Sequence, residues 1–251
     1  MTFLSPFHKI AGGFEKPRFS MTQKFGYNAA VTTVEDVWES GGPYTGFLTE
    51  ELGLVHDVVS SDADDTAAGD GAQTIRVEGL GPGGIIATED FTLDGLTPVN
   101  GAVLFTRINR AYVLTAGSTG TNEGTITIDT TVGNIVSATI GAGMGQTLIA
   151  CYTIPVTKNG IITRWSAGLS KAAQAAASGV VALQTRLLDD SSGSQKGAWR
   201  TKEIMAMNAG TNFDKDVSIA VPARTDIRVR VLSVSSEVLV NAEFNVIEEA
   251  I

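Results

Sequence analysis

Short runs of alternating apolar and polar residues, cut by turn residues about every eight to twelve positions, dominate this chain after its first fifth. No stretch sustains the period of a long amphipathic helix. In Asp226-Ile227-Arg228-Val229-Arg230-Val231, the residues Ile227, Val229 and Val231 fall on one face while Arg228 and Arg230 fall on the other. Val238, Val240, Ala242, Phe244 and Val246 line a single apolar face in the same way. Gln73 to Glu78 set Ile75 and Val77 against Thr74, Arg76 and Glu78, and Asp94-Gly95 marks a turn. Further runs at 85–93, 103–108, 111–114, 125–128 and 135–140 complete the pattern. Half-buried strands of this kind bury their apolar faces only by packing sheet on sheet. The predicted fold class is therefore all-β: an extended N-terminal arm followed by antiparallel β-sandwich regions of jelly-roll-like build. Three segments follow: 1–50 as the arm, 51–150 as a first sandwich or barrel region, and 151–251 as a second sandwich region. Lys171 to Ala177 alone has good helical propensity, and it is too short to stand by itself before Gly179.

The arm is set apart by its aromatic content. Phe3, Phe7, Phe14, Phe19, Phe25, Tyr27, Trp38, Tyr44 and Phe47 fall there, more than half of the aromatic residues of the chain, among prolines and glycines and without a lasting period. An irregular strip this rich in rings has to lie along some other surface, its own or a neighbour's. Phe3, Phe7, Phe14, Phe19, Phe25, Tyr27, Trp38 and Tyr44 are accordingly assigned to an assembly arm. About 45 extended residues reach roughly 150 Å, enough to cross subunit boundaries.

Composition narrows the function. With 18 Lys and Arg against 27 Asp and Glu, the net charge is −9, which argues against nucleic acid as a partner. No apolar run is long enough to span a bilayer as a helix, and MTFLSPFHKIAGG lacks a basic start followed by an apolar block. The expectation is a soluble chain made in the cytoplasm, with no membrane partner. A single cysteine, Cys151, excludes an intramolecular disulfide. A chain of 251 residues buries enough surface to need neither a disulfide nor a metal.

Candidate sites are sparse. Gly79-x-Gly81-x-x-Gly84 matches a dinucleotide fingerprint by letter, but Pro82 sits inside it and Ile85-Ile86 follow, so a glycine-rich hairpin is the reading. His56, Asp57, Ser60 and Ser61 supply the letters of a hydrolase triad, yet neighbours on a strand point to opposite faces. Asp62, Asp64, Asp65 and Asp70 begin a calcium-loop alternation that then collapses, which leaves a solvated acidic loop as the default and calcium as the alternative. Cys151 reads as a buried structural thiol, and whether Arg107, Arg110, Arg224, Arg228 and Arg230 gather is not legible. No catalytic residue, metal ligand or cofactor is assigned.

Several blocks resemble structural proteins of tailed, especially marine, bacteriophages. They are Phe25-Gly26-Tyr27-Asn28 with Val37-Trp38-Glu39-Ser40-Gly41-Gly42-Pro43-Tyr44, then Ser60 to Asp65 with Gly69 to Ile75, Val77 to Leu80, Thr97-Pro98-Val99, Arg107 to Tyr112, Gly117 to Ile126, Ile154-Pro155 and Thr225 to Val229. Together they cover about 25 to 235. The resemblance implies a virion component of β-sandwich build, synthesised in the bacterial host cytoplasm. Its implied partners are other virion proteins, whether major capsid, portal or tail. The leading reading is a non-enzymatic capsid decoration (cement) or minor capsid protein that assembles through its arm as a homo-oligomer, a trimer being one candidate. The alternative is a head or tail fibre or a receptor- or carbohydrate-binding β module, with Trp165 and Trp199 as stacking platforms or, as the plainer reading, core residues. A two-carboxylate hydrolase is a third class, for which the sequence supplies no defined separation.

Overall fold

A computed structural model describes residues 18–48, 52–171, 176–188 and 197–251. Its strands, in chain order, are β1 (Phe19–Val31), β2 (Glu35–Asp36), β3 (His56–Ser60), β4 (Ala72–Leu80), β5 (Ile86–Thr92), β6 (Val99–Asn100), β7 (Arg107–Ala116), β8 (Ile126–Thr130), β9 (Val136–Ile140), β10 (Cys151–Thr153), β11 (Lys158–Ser170), β12 (Ser178–Leu187), β13 (Arg200–Asn208), β14 (Thr211–Val221), β15 (Thr225–Val234) and β16 (Val238–Ala250). Every strand pairing is antiparallel, and the described residues contain no α-helix. The expected all-β class is what the chain adopts. The helix-prone residues 172–175 lie outside the described residues.

Two sandwiches result. The first packs the sheet β6-β3-β8-β9 on the sheet β5-β4-β7. Its core holds Val58, Ile126, Ile128, Ala138 and Ile140 from one side and Ile75, Val77, Phe91, Ile108 and Ala111 from the other. The second packs β1-β16-β11-β14 on β10-β15-β12-β13, with β2 added to β15. Val240, Ala242, Phe244 and Val246 there meet Val181, Leu183, Ile227, Val229 and Val231 around a fully buried Trp165. The alternation in β15 and β16 thus marks the buried face correctly. Each such side chain contributes about 1.5–3 kcal/mol on leaving water.

The segment expected as an arm divides. Residues 1–17, with Phe3, Phe7 and Phe14, lie outside the described residues. Residues 18–48 lie along the chain's own body. β1 pairs with β16 from Phe19↔Glu249 to Val31↔Val238, and β2 pairs with β15. Trp38 and Tyr44 are 3% and 5% exposed, which corrects their assignment to assembly: they are core residues of this chain. Trp38 donates its indole N–H to the Gly42 carbonyl and meets Tyr44 edge-on at 5.1 Å, and Tyr44 meets Phe47 at 4.9 Å.

The glycine-rich stretch after β4 is the expected hairpin. A 3-10 turn at Pro82–Gly84, with Gly83 at φ 75°, returns the chain into β5. The run at 103–108 becomes strand only from Arg107, because Phe105 is drawn aside to exchange backbone hydrogen bonds with Leu54 at 2.9 Å in each direction.

Candidate functional site

The two sandwiches meet along β1, β7, β10 and β15, and the charged side chains gathered there form the chemically richest part of the described structure. Asp226 opens β15 after Arg224, whose φ of 60° turns the chain, and is fully buried. Its carboxylate accepts from Arg107 Nε at 2.9 Å, Arg186 Nε at 2.7 Å and Thr153 Oγ1 at 2.7 Å. Burial alone would raise its pKa, but the Arg107 and Arg186 guanidiniums outweigh it and hold the carboxyl below its ordinary range. Arg107 comes from the first sandwich and Arg186 from the second, so one carboxylate ties both bodies. Asp36 forms a second node, accepting from Arg230 Nη1 at 2.8 Å and from the Tyr44 backbone N–H at 2.7 Å. Trp199 closes the cluster, with the guanidinium carbons of Arg228 and Arg186 at 3.8 and 4.4 Å from its ring centre.

Beside these nodes opens a cleft of about 530 Å³ between β1 and the sheet β5-β4-β7. On its inner wall Glu248, 1% exposed, accepts from Tyr152 Oη at 2.7 Å, Lys158 Nζ at 2.8 Å and the hydroxyls of Ser20 and Thr22 at 3.2 Å. Lys24, 6% exposed, donates to the Asn109 carbonyl. Burial pushes its pKa down to about 8, so the ammonium remains the main form at neutral pH. The polar side chains on this wall mostly satisfy one another. The arrangement holds a shape, with the Ser20 hydroxyl placed between Glu248 and Lys158 Nζ, the latter at 3.0 Å.

Phe25 stands at the cleft with 37% exposure, while Phe19 and Tyr27 are half-buried on β1. His56 is fully buried, with Nδ1 3.1 Å from the Leu54 carbonyl and Nε2 3.0 Å from Ser137 Oγ, so its partner is not Asp57, Ser60 or Ser61. Asp65 is buried and organises its loop, accepting from the backbone N–H groups of Ala72, Glu123 and Gly124 at 2.7, 2.9 and 2.9 Å. Asp62 receives the Asp64 N–H and Asp70 the Ser118 hydroxyl. Among the described residues no three His, Cys, Asp or Glu side chains are grouped to hold a metal ion. Cys151 is fully buried, and burial pushes its thiol pKa up. Trp165 is core, which leaves it no face for a sugar ring.

Sequence reasoning missed Asp36, Lys24, Glu248 and Arg186. Glu248 had a signal, since it continues the inward series Val238 to Val246 with a charge. Asp36 and Lys24 had none, because their partners come from distant strands.

No family model matches the chain, and no curated protein does. Among solved structures, one of the Gt strain of infectious bursal disease virus superposes with a TM-score of 0.28 at 10% identity, over 93% of this chain and 71% of that one. T=1 particles derived from infectious bursal virus give 0.23 at 9% identity over 93% and 74%. An Arthrobacter globiformis T6 isomalto-dextranase complexed with panose gives 0.24 at 9% identity, over 80% of this chain and 33% of the enzyme. These are weak structural likenesses, two of them to viral particles, and none is close enough to carry a functional argument. Among the described residues no helix is long and apolar enough to cross a membrane.

Proposed function

We propose that this chain is a non-enzymatic structural protein of a tailed-phage particle, a decoration (cement) or minor capsid component that joins its neighbours through its leading segment. The observation that carries the reading is the Asp226 node, where a fully buried carboxylate accepts from an arginine of each sandwich and links the two into one body. A protein that works by wide contact needs such a rigid body. The sequence blocks that resemble phage structural proteins agree with it.

The first 17 residues lead directly into β1. Deleting residues 1–17 is expected to leave a folded protein, with an unchanged melting temperature, that no longer joins particles. Normal incorporation of the shortened chain would contradict the role of the segment.

A further inference from the structure

β1 is an edge strand, and one side of it faces the cleft. Ala250 donates its backbone N–H to the Arg18 carbonyl at 3.0 Å, and the register runs without a break from Phe19↔Glu249 to Asn28↔Val240. Antiparallel pairing alternates, so Ser20, Thr22 and Lys24 turn their backbone groups toward β16, while Phe19, Met21, Gln23 and Phe25 turn theirs away. Tyr27, next in the outward series, donates its N–H to Leu148 at 3.4 Å. Among the described residues Met21, Gln23 and Phe25 have no such backbone partner on the outward side. Consecutive residues Ser20 to Phe25 line the cleft, so it borders the edge of the strand rather than one face.

Two other edges are blunted. β14 carries Asp214, Lys215 and Asp216, all exposed, and β13 carries exposed Arg200 and Lys202. Charges of this kind discourage strand addition. Along the cleft, Phe25 and Ile86 are instead exposed apolar residues, at 37% and 53%. An open row of backbone donors and acceptors beside apolar side chains is what an added strand requires.

We propose that this cleft is a strand-acceptor site whose occupant is residues 1–17 of a second copy of this chain. The proposal rests on the assembly reading above and names its partner. Seventeen extended residues reach about 56 Å, which allows exchange between neighbouring copies. Return within one chain is poorly matched. Lys16 precedes Pro17, which disfavours a helical bend there, and Gly12-Gly13 is the nearest pair suited to a tight reversal. A two-residue turn at Gly12-Gly13 would set Pro6, without an N–H, opposite Phe19 and leave Phe7 and Ile10 off the cleft. The segment of a second copy is free of that register.

The test uses full-length chains. A chain carrying Phe7→p-benzoylphenylalanine is mixed with a heavy-isotope chain, irradiated and mapped by mass spectrometry. The expected adducts join Phe7 of one copy to residues 20–25 or 78–88 of the isotopically distinct copy. They should fall at least tenfold when the heavy chain carries Met21→Pro, whose lost N–H faces away from β16, or Ile86→Lys, which leaves the β1 ladder untouched. Adducts elsewhere, adducts confined to one chain, or adducts undiminished in both variants would overturn the site. If those adducts fail while deletion of residues 1–17 still abolishes incorporation, the acceptor site falls and the assembly reading stands.

Discussion

His56 shows how a residue type that invites a catalytic reading is used for packing instead. Its ring stands edge-on to Phe105 at 5.7 Å, and burial pushes its pKa down from 6.5 to about 4. A histidine lowered in the folded state takes up a proton more readily when unfolded, so it subtracts stability as pH falls from 6.5 toward 4. At about 1.4 kcal/mol per pH unit the loss is roughly 3 kcal/mol. His56→Gln should therefore lie below the wild type in melting temperature at pH 7, with the gap narrowing toward pH 4.5. Parallel curves from thermal melts would contradict this. A single letter revealed neither the burial nor Ser137, since both depend on β8 placing β9 two strands from β3 in the same sheet.

At the scale of elements, legibility follows the alternation. β4, β8, β9, β15 and β16 were readable because each buries one face in a core that its own residues announce. β1 was not, because its inward series is Ser20, Thr22, Lys24, Gly26 and Asn28, whose first three members meet the Glu248 carboxylate and the Asn109 carbonyl rather than an apolar core. Its aromatic residues drew the reading toward an arm. Along β1 the tight point is Gly26, where a Cβ would lie 2.3 Å from the Val37 carbonyl oxygen and 2.4 Å from the Ala150 nitrogen, both backbone. Gly26→Ala is expected to cost at least the 1–3 kcal/mol typical of overpacking, about that much in a denaturant titration, by prising β1 from β10. A loss within about 0.5 kcal/mol, as for an ordinary surface change, would show that the approach is looser than drawn.

Over the whole molecule, two cores are made to act as one by charge. The sequence announces the apolar parts of both, but the ion pairs join residues as distant as Arg107 and Asp226, and nothing in a linear pattern pairs them. Asp226→Asn leaves the buried Arg107 and the half-buried Arg186 without their carboxylate, a change that costs about 3–5 kcal/mol. Calorimetry is expected to show one transition for the wild type and two for Asp226→Asn, as the sandwiches uncouple. One intact transition at a merely lower temperature would place the coupling elsewhere.

The structural role itself is tested most directly by imaging particles that carry this chain. The expected image is a repeated two-sandwich density on the particle, with residues 1–17 reaching a neighbouring copy. Purified particles without the chain, or a solitary monomer turning over a small-molecule substrate, would contradict it.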